Sequence, residues 1–268
     1  MQDAGMAIDT ALDLDVIDGH VGWLLVCVTA AALLYSTSGH GGGTAYLALF
    51  GLFGVAPQTM RPLALVLNIV VAGIGSVRLI RASVMPWRTL GFLLLGSVPL
   101  AYVGGLVKLP STVYRGVLGV LLLLAALWLL LPTKTTSLET SALRTAPAVV
   151  LVVVGAVLGL LSGLTGIGGG IFLSPILVLF RLEDPKRTAA AASAFIVINS
   201  VSGLIAQATQ GGLSNLPTTT PVFAVVVAVG GLFGSWLVAR RLSLRGVRTA
   251  LGIVLAVSGA RLLWEALA

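Results

Sequence analysis

Long uninterrupted apolar runs constrain this chain more than any other feature. Residues 116–131 read GVLGVLLLLAALWLLL, and residues 148–163 read AVVLVVVGAVLGLLSG. Only 9% of the 268 residues are charged and 57% are hydrophobic, whereas soluble domains carry about 25% charged residues. So few charges cannot cover a water-facing surface. The chain is therefore expected to be an all-α polytopic membrane protein.

The remaining composition narrows this further. The first twenty residues carry Asp3, Asp9, Asp13, Asp15 and Asp18 and no basic residue. A secretory signal begins with a positive region, so residues 1–20 read as an acidic tail. Cys27 is alone, which removes an intramolecular disulfide and a cysteine metal site. The net charge of +7 is spread over loops between apolar segments. Positive-inside topology explains that pattern better than nucleic acid as a partner. Beyond the tail, Glu139, Glu183, Asp184 and Glu265 lie in loops or at the C-terminus. No carboxylate is left at membrane depth for a proton relay or a cation site.

Two glycine breaks interrupt the apolar pattern: SGHGGG at 38–43 and TGIGGG at 165–170. Glycine costs a helix roughly 1 kcal/mol relative to alanine, and three in a row defeat it. Placing Gly39 on Gly166 also superposes the two triplets and divides the chain into similar halves, 21–131 and 147–268, joined by a linker over 132–146. Each half has an apolar segment (21–37, 147–164), the break, a short arm (44–55, 171–180) and a proline turn (Pro57, Pro185). Three longer segments follow, near 63–80, 87–107 and 113–131, then 188–208, 221–239 and 247–264. Asn68 and Asn199 are paired across the halves by a small gap in this alignment.

Residues 21–56 as one helix would be about 54 Å long, against a hydrocarbon core of about 30 Å. The short arms cannot span alone. Loop charges decide between crossing and returning. If each broken segment returns to its starting side, twelve of the sixteen lysines and arginines share one face. The other four, Arg61, Lys108, Arg115 and Arg261, take the opposite face. Single crossings would divide them ten to six. The positive-inside bias favours returning hairpins, with the linker cytoplasmic and the N-terminus outside. Each half then makes an odd number of crossings. The expected architecture is two inverted repeats, each a glycine-broken hairpin plus three transmembrane helices, with the glycine tips meeting near the midplane.

Irregular backbone at that depth survives only inside protein or beside a watery cavity. Free N–H groups where a helix starts favour anions, and glycine lets the backbone approach a ligand. The candidate substrate-binding set is Ser38, Gly39, His40, Gly41, Gly42, Gly43 and Thr44 at the first break, and Thr165, Gly166, Gly168, Gly169 and Gly170 at the second, with Asn68 and Asn199. Ser174, Ser193, Ser200 and Ser202 are further donors, or small residues that let helices pack closely. His40 either hydrogen-bonds within the bundle or binds the anion and titrates near neutral pH. Arg61 is expected to snorkel to headgroups.

Two GxGGG motifs, each heading a half with a short arm and an asparagine-bearing segment, resemble the TauE/SafE sulfite exporter family. The stretch GLLSGLTGIGGGIFLSPILVLF (159–180) carries the similarity best, and the resemblance covers about residues 20–265. It implies export of sulfite, a short organosulfonate or a related small anion across the bacterial cytoplasmic membrane, with the glycines of both motifs involved. His40 stands where the second copy has Ile167.

The expected function is a secondary transporter exporting a small sulfur oxyanion by alternating access. It needs no cofactor or metal, its environment is the lipid bilayer, and homo-oligomerisation is left open. The alternatives are an anion channel, which the same electropositive tips would line, and an exporter of another small organic anion. An enzyme is not expected. Ser38 and His40 are two residues apart, do not face each other on a helix, and have no acidic partner.

Overall fold

The computed structural model describes residues 21–36, 41–131, 144, 146–241 and 244–268. The acidic tail, most of the linker, and Ser38, Gly39 and His40 lie outside the described residues. The first half folds into α1 (Val21–Ser36), α2 (Gly43–Leu52), α3 (Pro57–Arg81), α4 (Trp87–Leu106) and α5 (Ser111–Leu130). The second gives α6 (Ala148–Thr165), α7 (Gly170–Leu179), α8 (Pro185–Thr209), α9 (Thr220–Arg241) and α10 (Leu244–Leu267), with a 3-10 turn at Gly212–Asn215. The described residues hold no strand. In lipid every backbone polar group must be satisfied within its own segment, and helices do this.

The order repeats closely. The short helices have ten residues in both halves, and the long helices after them have twenty-five. Pro57 and Pro185, read as turn residues, are instead the first residues of α3 and α8. The fixed φ of proline and its missing N–H suit that position. At α8 the Asp184 side chain accepts hydrogen bonds from the amides of Lys186 (2.9 Å) and Arg187 (3.0 Å).

Six described helices are long and apolar enough to cross a membrane: α3, α4, α5, α6, α8 and the 248–267 part of α10. The list differs from the expected spans at two points: it adds α6, and it lacks the span expected at 221–239, where the apolar helix found among the described residues is the shorter Thr220–Gly234. The first arm of the second break, α6, is itself eighteen residues long, about 27 Å, whereas α7 is about 15 Å, half a bilayer core.

Burial is inverted relative to a soluble protein. Large apolar residues such as Trp23, Leu95, Val149 and Val225 are exposed, while Asn68, Ser97, Ser162, Ser193, Asn199 and Ser200 are fully buried. Helices associate in lipid through close approach of small residues. Along α6, side chains at Gly155, Gly159 and Gly163 would strike the α4 backbone at Leu93, Ser97 and Ala101. Along α9, Gly230 and Gly234 meet the α1 carbonyls of Thr29 and Leu33 in the same four-residue rhythm. The pair α4–α6 is thus matched by α1–α9, and α4–α8 by α3–α9, while α3 packs on α8 and α5 on α10. Exchanging the two halves maps this packing onto itself.

The α6–α7 segment returns to the end at which it starts. The Arg144 amide, ahead of α6, donates to the carbonyl of Arg181, just past α7, at 2.8 Å.

Candidate functional site

Each short helix begins from a glycine in the left-handed region. Gly42 has φ 85° and Gly169 has φ 77°, and each is the residue before the first helical turn. A residue with a Cβ is strained there. Gly166 (φ 84°) and Gly168 (φ 86°) share this backbone, which explains why one break needs so many glycines. The first amides of α2 and α7 have no partner within their own helices, so both positive helix ends open onto the turns.

The two turns touch. A Cβ on Gly43 would collide with the carbonyl oxygen of Ile167 and lie 2.5 Å from Nδ2 of Asn68. A Cβ on Gly41 would sit 3.2 Å from Oδ1 of Asn68, and one on Gly168 3.0 Å from its Nδ2. Ile196 of α8 fills the other side: its Cγ2 would lie 3.1 Å from a Cβ on Gly41 and 2.9 Å from one on Gly168. The turns therefore meet between Asn68 and Ile196, which are both the twelfth residue of their helices. Ile196, not Asn199, is the counterpart of Asn68. Asn199 lies almost one turn further along, and its Nδ2 donates to the Phe195 carbonyl of its own helix at 2.9 Å.

The carbonyl side of the second turn is held by donors from the first half. Asn68 Nδ2 donates to Gly166 O at 3.1 Å. The Tyr114 hydroxyl of α5 donates to Thr165 O at 2.8 Å. Arg61 does not snorkel. It is buried, and its Nε donates to Gly163 O at 2.9 Å. Its Nη1 donates to Val107 O at 3.0 Å, and its Nη2 to Gly104 O and Gly163 O. One guanidinium thereby caps the C-terminal ends of α4 and α6, the negative ends of both helix dipoles. Its partners are neutral carbonyls, and the described Glu183 and Glu265 pair elsewhere, with Arg115, Arg187 and Arg261, while Asp184 caps α8. The α6 tip also lies against the first turns of α3 and α5 and the last turn of α4. It is therefore displaced toward that end of the bundle, while Asn68 marks the middle of α3.

Other expected donors are engaged locally. Thr44 shares a 2.9 Å hydrogen bond with the Tyr35 hydroxyl. Thr165 donates to Leu161 O at 2.6 Å, Ser174 to Gly170 O at 3.2 Å, and Ser193 to Ala190 O at 3.0 Å. Ser202 joins α8 to Val98 O of α4 at 2.8 Å. Buried polar atoms without a partner among the described residues include Asn68 Oδ1, Asn199 Oδ1, and the hydroxyls of Tyr46, Ser162 and Ser200. Tyr46 escaped the sequence reading, although its ring covers Gly42. Its position four residues into the short arm, within one turn of the break, was the available signal. Residues 41–50 and 165–170 are all buried, so the meeting point is closed to solvent.

Described His, Cys, Asp and Glu side chains form no group of three or more that could hold a metal. The arrangement offers amide donors, two helix N-termini, a buried cation and orphan acceptors, which is the equipment for holding a small hydrogen-bonding anion.

Comparison with known proteins places the chain in a family. The model of a family described as sulfite exporter TauE/SafE matches residues 24–262. A probable membrane transporter protein of Sinorhizobium fredii is 34% identical over 247 residues, covering 90% of this chain and 97% of its own length. A probable membrane transporter protein of Methanocaldococcus jannaschii is 32% identical over 111 residues, covering 39% and 41%. No solved structure matches.

Proposed function

Because this chain belongs to the sulfite exporter TauE/SafE family of membrane transporters, we propose that it exports a small sulfur oxyanion, sulfite or a short organosulfonate, through the contact between its glycine turns. The observation that carries this reading is the convergence of the two glycine turns on Asn68 beside a buried arginine that none of the described carboxylates neutralises. A buried cation held by neutral carbonyls alone is costly, and an anion held by the turns offsets that cost. Asn68 Oδ1 is an acceptor without a partner among the described residues and suits an oxyanion that carries a proton, such as hydrogen sulfite. The proposed binding residues are the glycines of both turns with Asn68. Tyr46 and Asn199 supply secondary contacts, and Ser38, Gly39 and His40 are proposed with them from their place in the first glycine motif of the sequence.

The closed meeting point supports alternating access over an open channel. The packing that survives exchange of the halves, together with the return of α6–α7 to its starting end, supports an inverted repeat whose halves rock against each other. The placement is the bacterial cytoplasmic membrane, with the arginine-rich face inside and the N-terminus outside. There the membrane potential drives anions outward at about 2.3 kcal/mol per charge per 100 mV.

The test is flux of labelled sulfite, taurine, sulfoacetate and chloride into proteoliposomes, with and without a pH gradient. Saturable sulfur-anion flux is expected, falling at least about tenfold in Asn68→Ala, the worth of one hydrogen bond to a charged group. Chloride flux as fast as sulfite flux, and without saturation, would make the protein a channel.

A further inference from the structure

A second polar site lies at the end of the bundle remote from the glycine turns. A cavity of about 310 Å³ opens between the starts of α4, α6 and α8 and is lined by Arg88, Arg144, Arg187, Thr89 and Glu183. Glu183 is buried, and both of its carboxylate oxygens are occupied. Oε1 accepts a hydrogen bond from the Thr89 hydroxyl, and Oε2 pairs with Arg187 Nε at 3.1 Å. No carboxylate pairs with Arg88 or Arg144 among the described residues. The cavity thus holds three guanidinium groups against one acid, an excess of two positive charges. Pro86 precedes α4 without a side-chain cap, so the first amides of that helix add to the positive field.

Part of the lining is apolar. Phe92, Leu151 and Leu182 form it, and the neighbouring Trp87 and Phe180 are exposed. Exposed aromatic residues at the ends of membrane helices mark the headgroup level. A ligand fitting this site has an anionic head and an apolar body, and it lies at the membrane boundary. A freely diffusing anion would leave the apolar lining unused. Basic pockets between membrane helices bind anionic headgroups by the same physics.

We propose that this cavity holds the phosphate of an anionic phospholipid, gripped by Arg88, Arg144 and Arg187, with the acyl chains running over Phe92, Leu151 and Leu182. The lipid would bridge α4, α6 and α8 where the linker between the halves rejoins the bundle. The Arg144 amide already ties this corner to Arg181 O beyond α7. The proposal does not depend on the transported substrate.

The test is the thermal unfolding midpoint of purified full-length protein in detergent, titrated with phosphatidylglycerol, phosphatidylcholine or inorganic phosphate. Phosphatidylglycerol is expected to raise the midpoint saturably, and the other two are not. In the double variant Arg88→Gln, Arg144→Gln the half-saturating concentration should rise about 30-fold, as expected for two lost headgroup cations. Both arginines are exposed, so size-exclusion elution and the lipid-free midpoint should match wild type. Arg78→Gln, Arg81→Gln, at the end of α3 outside the cavity, should leave the titration unchanged. Equal weakening in both double variants would overturn the site, and so would equal stabilisation by phosphatidylcholine. Saturation by inorganic phosphate at the same plateau would overturn the lipid as its source. A wild-type arm needs no variant: phosphatidylglycerol retained in native mass spectra must resist exchange by phosphatidylcholine.

Discussion

The two glycine turns lead into their short helices alike and differ in what surrounds them. Both place a glycine of positive φ before a ten-residue helix. The first half supplies polar side chains: Arg61 and Asn68 on α3, Tyr46 on α2 and Tyr114 on α5. At the matching positions of the second half stand Ala189 and Ile196 on α8 and Leu173 on α7. The donors of one half hold the carbonyls of the other half's turn, while the second half contributes the apolar wall. Similar backbone makes the paired helix ends, and the difference in side chains gives the site its polarity. The energetic weight of the pair should therefore fall unevenly on the two halves.

The largest effect is expected where no atom can yield. Gly43 faces the Ile167 backbone carbonyl, whereas the nearest neighbours of Gly170 are side-chain atoms of Ile196. Gly43→Ala should abolish the monodisperse size-exclusion peak. Gly170→Ala should cost about 1–3 kcal/mol of overpacking and be partly relieved by adding Ile196→Val. Equal damage from the two alanines would break the comparison.

Next comes Arg61. Arg61→Gln leaves the carbonyls at the ends of α4 and α6 without donors and should destabilise the protein by roughly 3–5 kcal/mol in denaturant unfolding. Arg61→Lys should recover only part of this, because an ammonium lacks the planar fork. Full rescue by lysine would reduce the residue to a point charge.

A smaller effect separates the asparagines. Asn68→Leu should cost about 1–3 kcal/mol, since Gly166 O loses a donor from the other half. Asn199→Leu should cost about 0.5 kcal/mol, because its hydrogen bond goes to a carbonyl of its own helix. Similar losses would restore the symmetric pairing read from the sequence. The smallest effect is Tyr114→Phe, about 1 kcal/mol for the donor to Thr165 O, read from the same unfolding curves.

Much of the fold was legible because lipid reduces the choices. Hydropathy, glycine triplets and prolines mark the helices, the breaks and the repeat with boundaries accurate to a few residues. The short arms, for example, were expected at 44–55 and 171–180 and are helical over 43–52 and 170–179. The site was legible in its backbone and less so in its side chains. Pairing Asn68 with Asn199 followed residue identity, but the structure pairs positions, and twelve residues into α8 stands Ile196. Arg61 near a helix start looks like a residue bound for the headgroups. Its inward course follows from the unsatisfied carbonyls at Gly104, Val107 and Gly163, which lie 43 to 102 residues away in sequence.

The sequence by itself determined that this chain is an all-helical membrane protein whose apolar pattern is interrupted by glycine triplets in two similar places. Composition excludes any other solvent, and three successive glycines exclude a continuous helix. Only the tertiary structure decided that the breaks touch, that Asn68 and Ile196 stand on either side of the contact, and that one half's arginine caps the other half's helix. Those relations depend on which small residues let α4 approach α6 and α3 approach α8. Close packing is a property of two surfaces together, and no single stretch of sequence contains it.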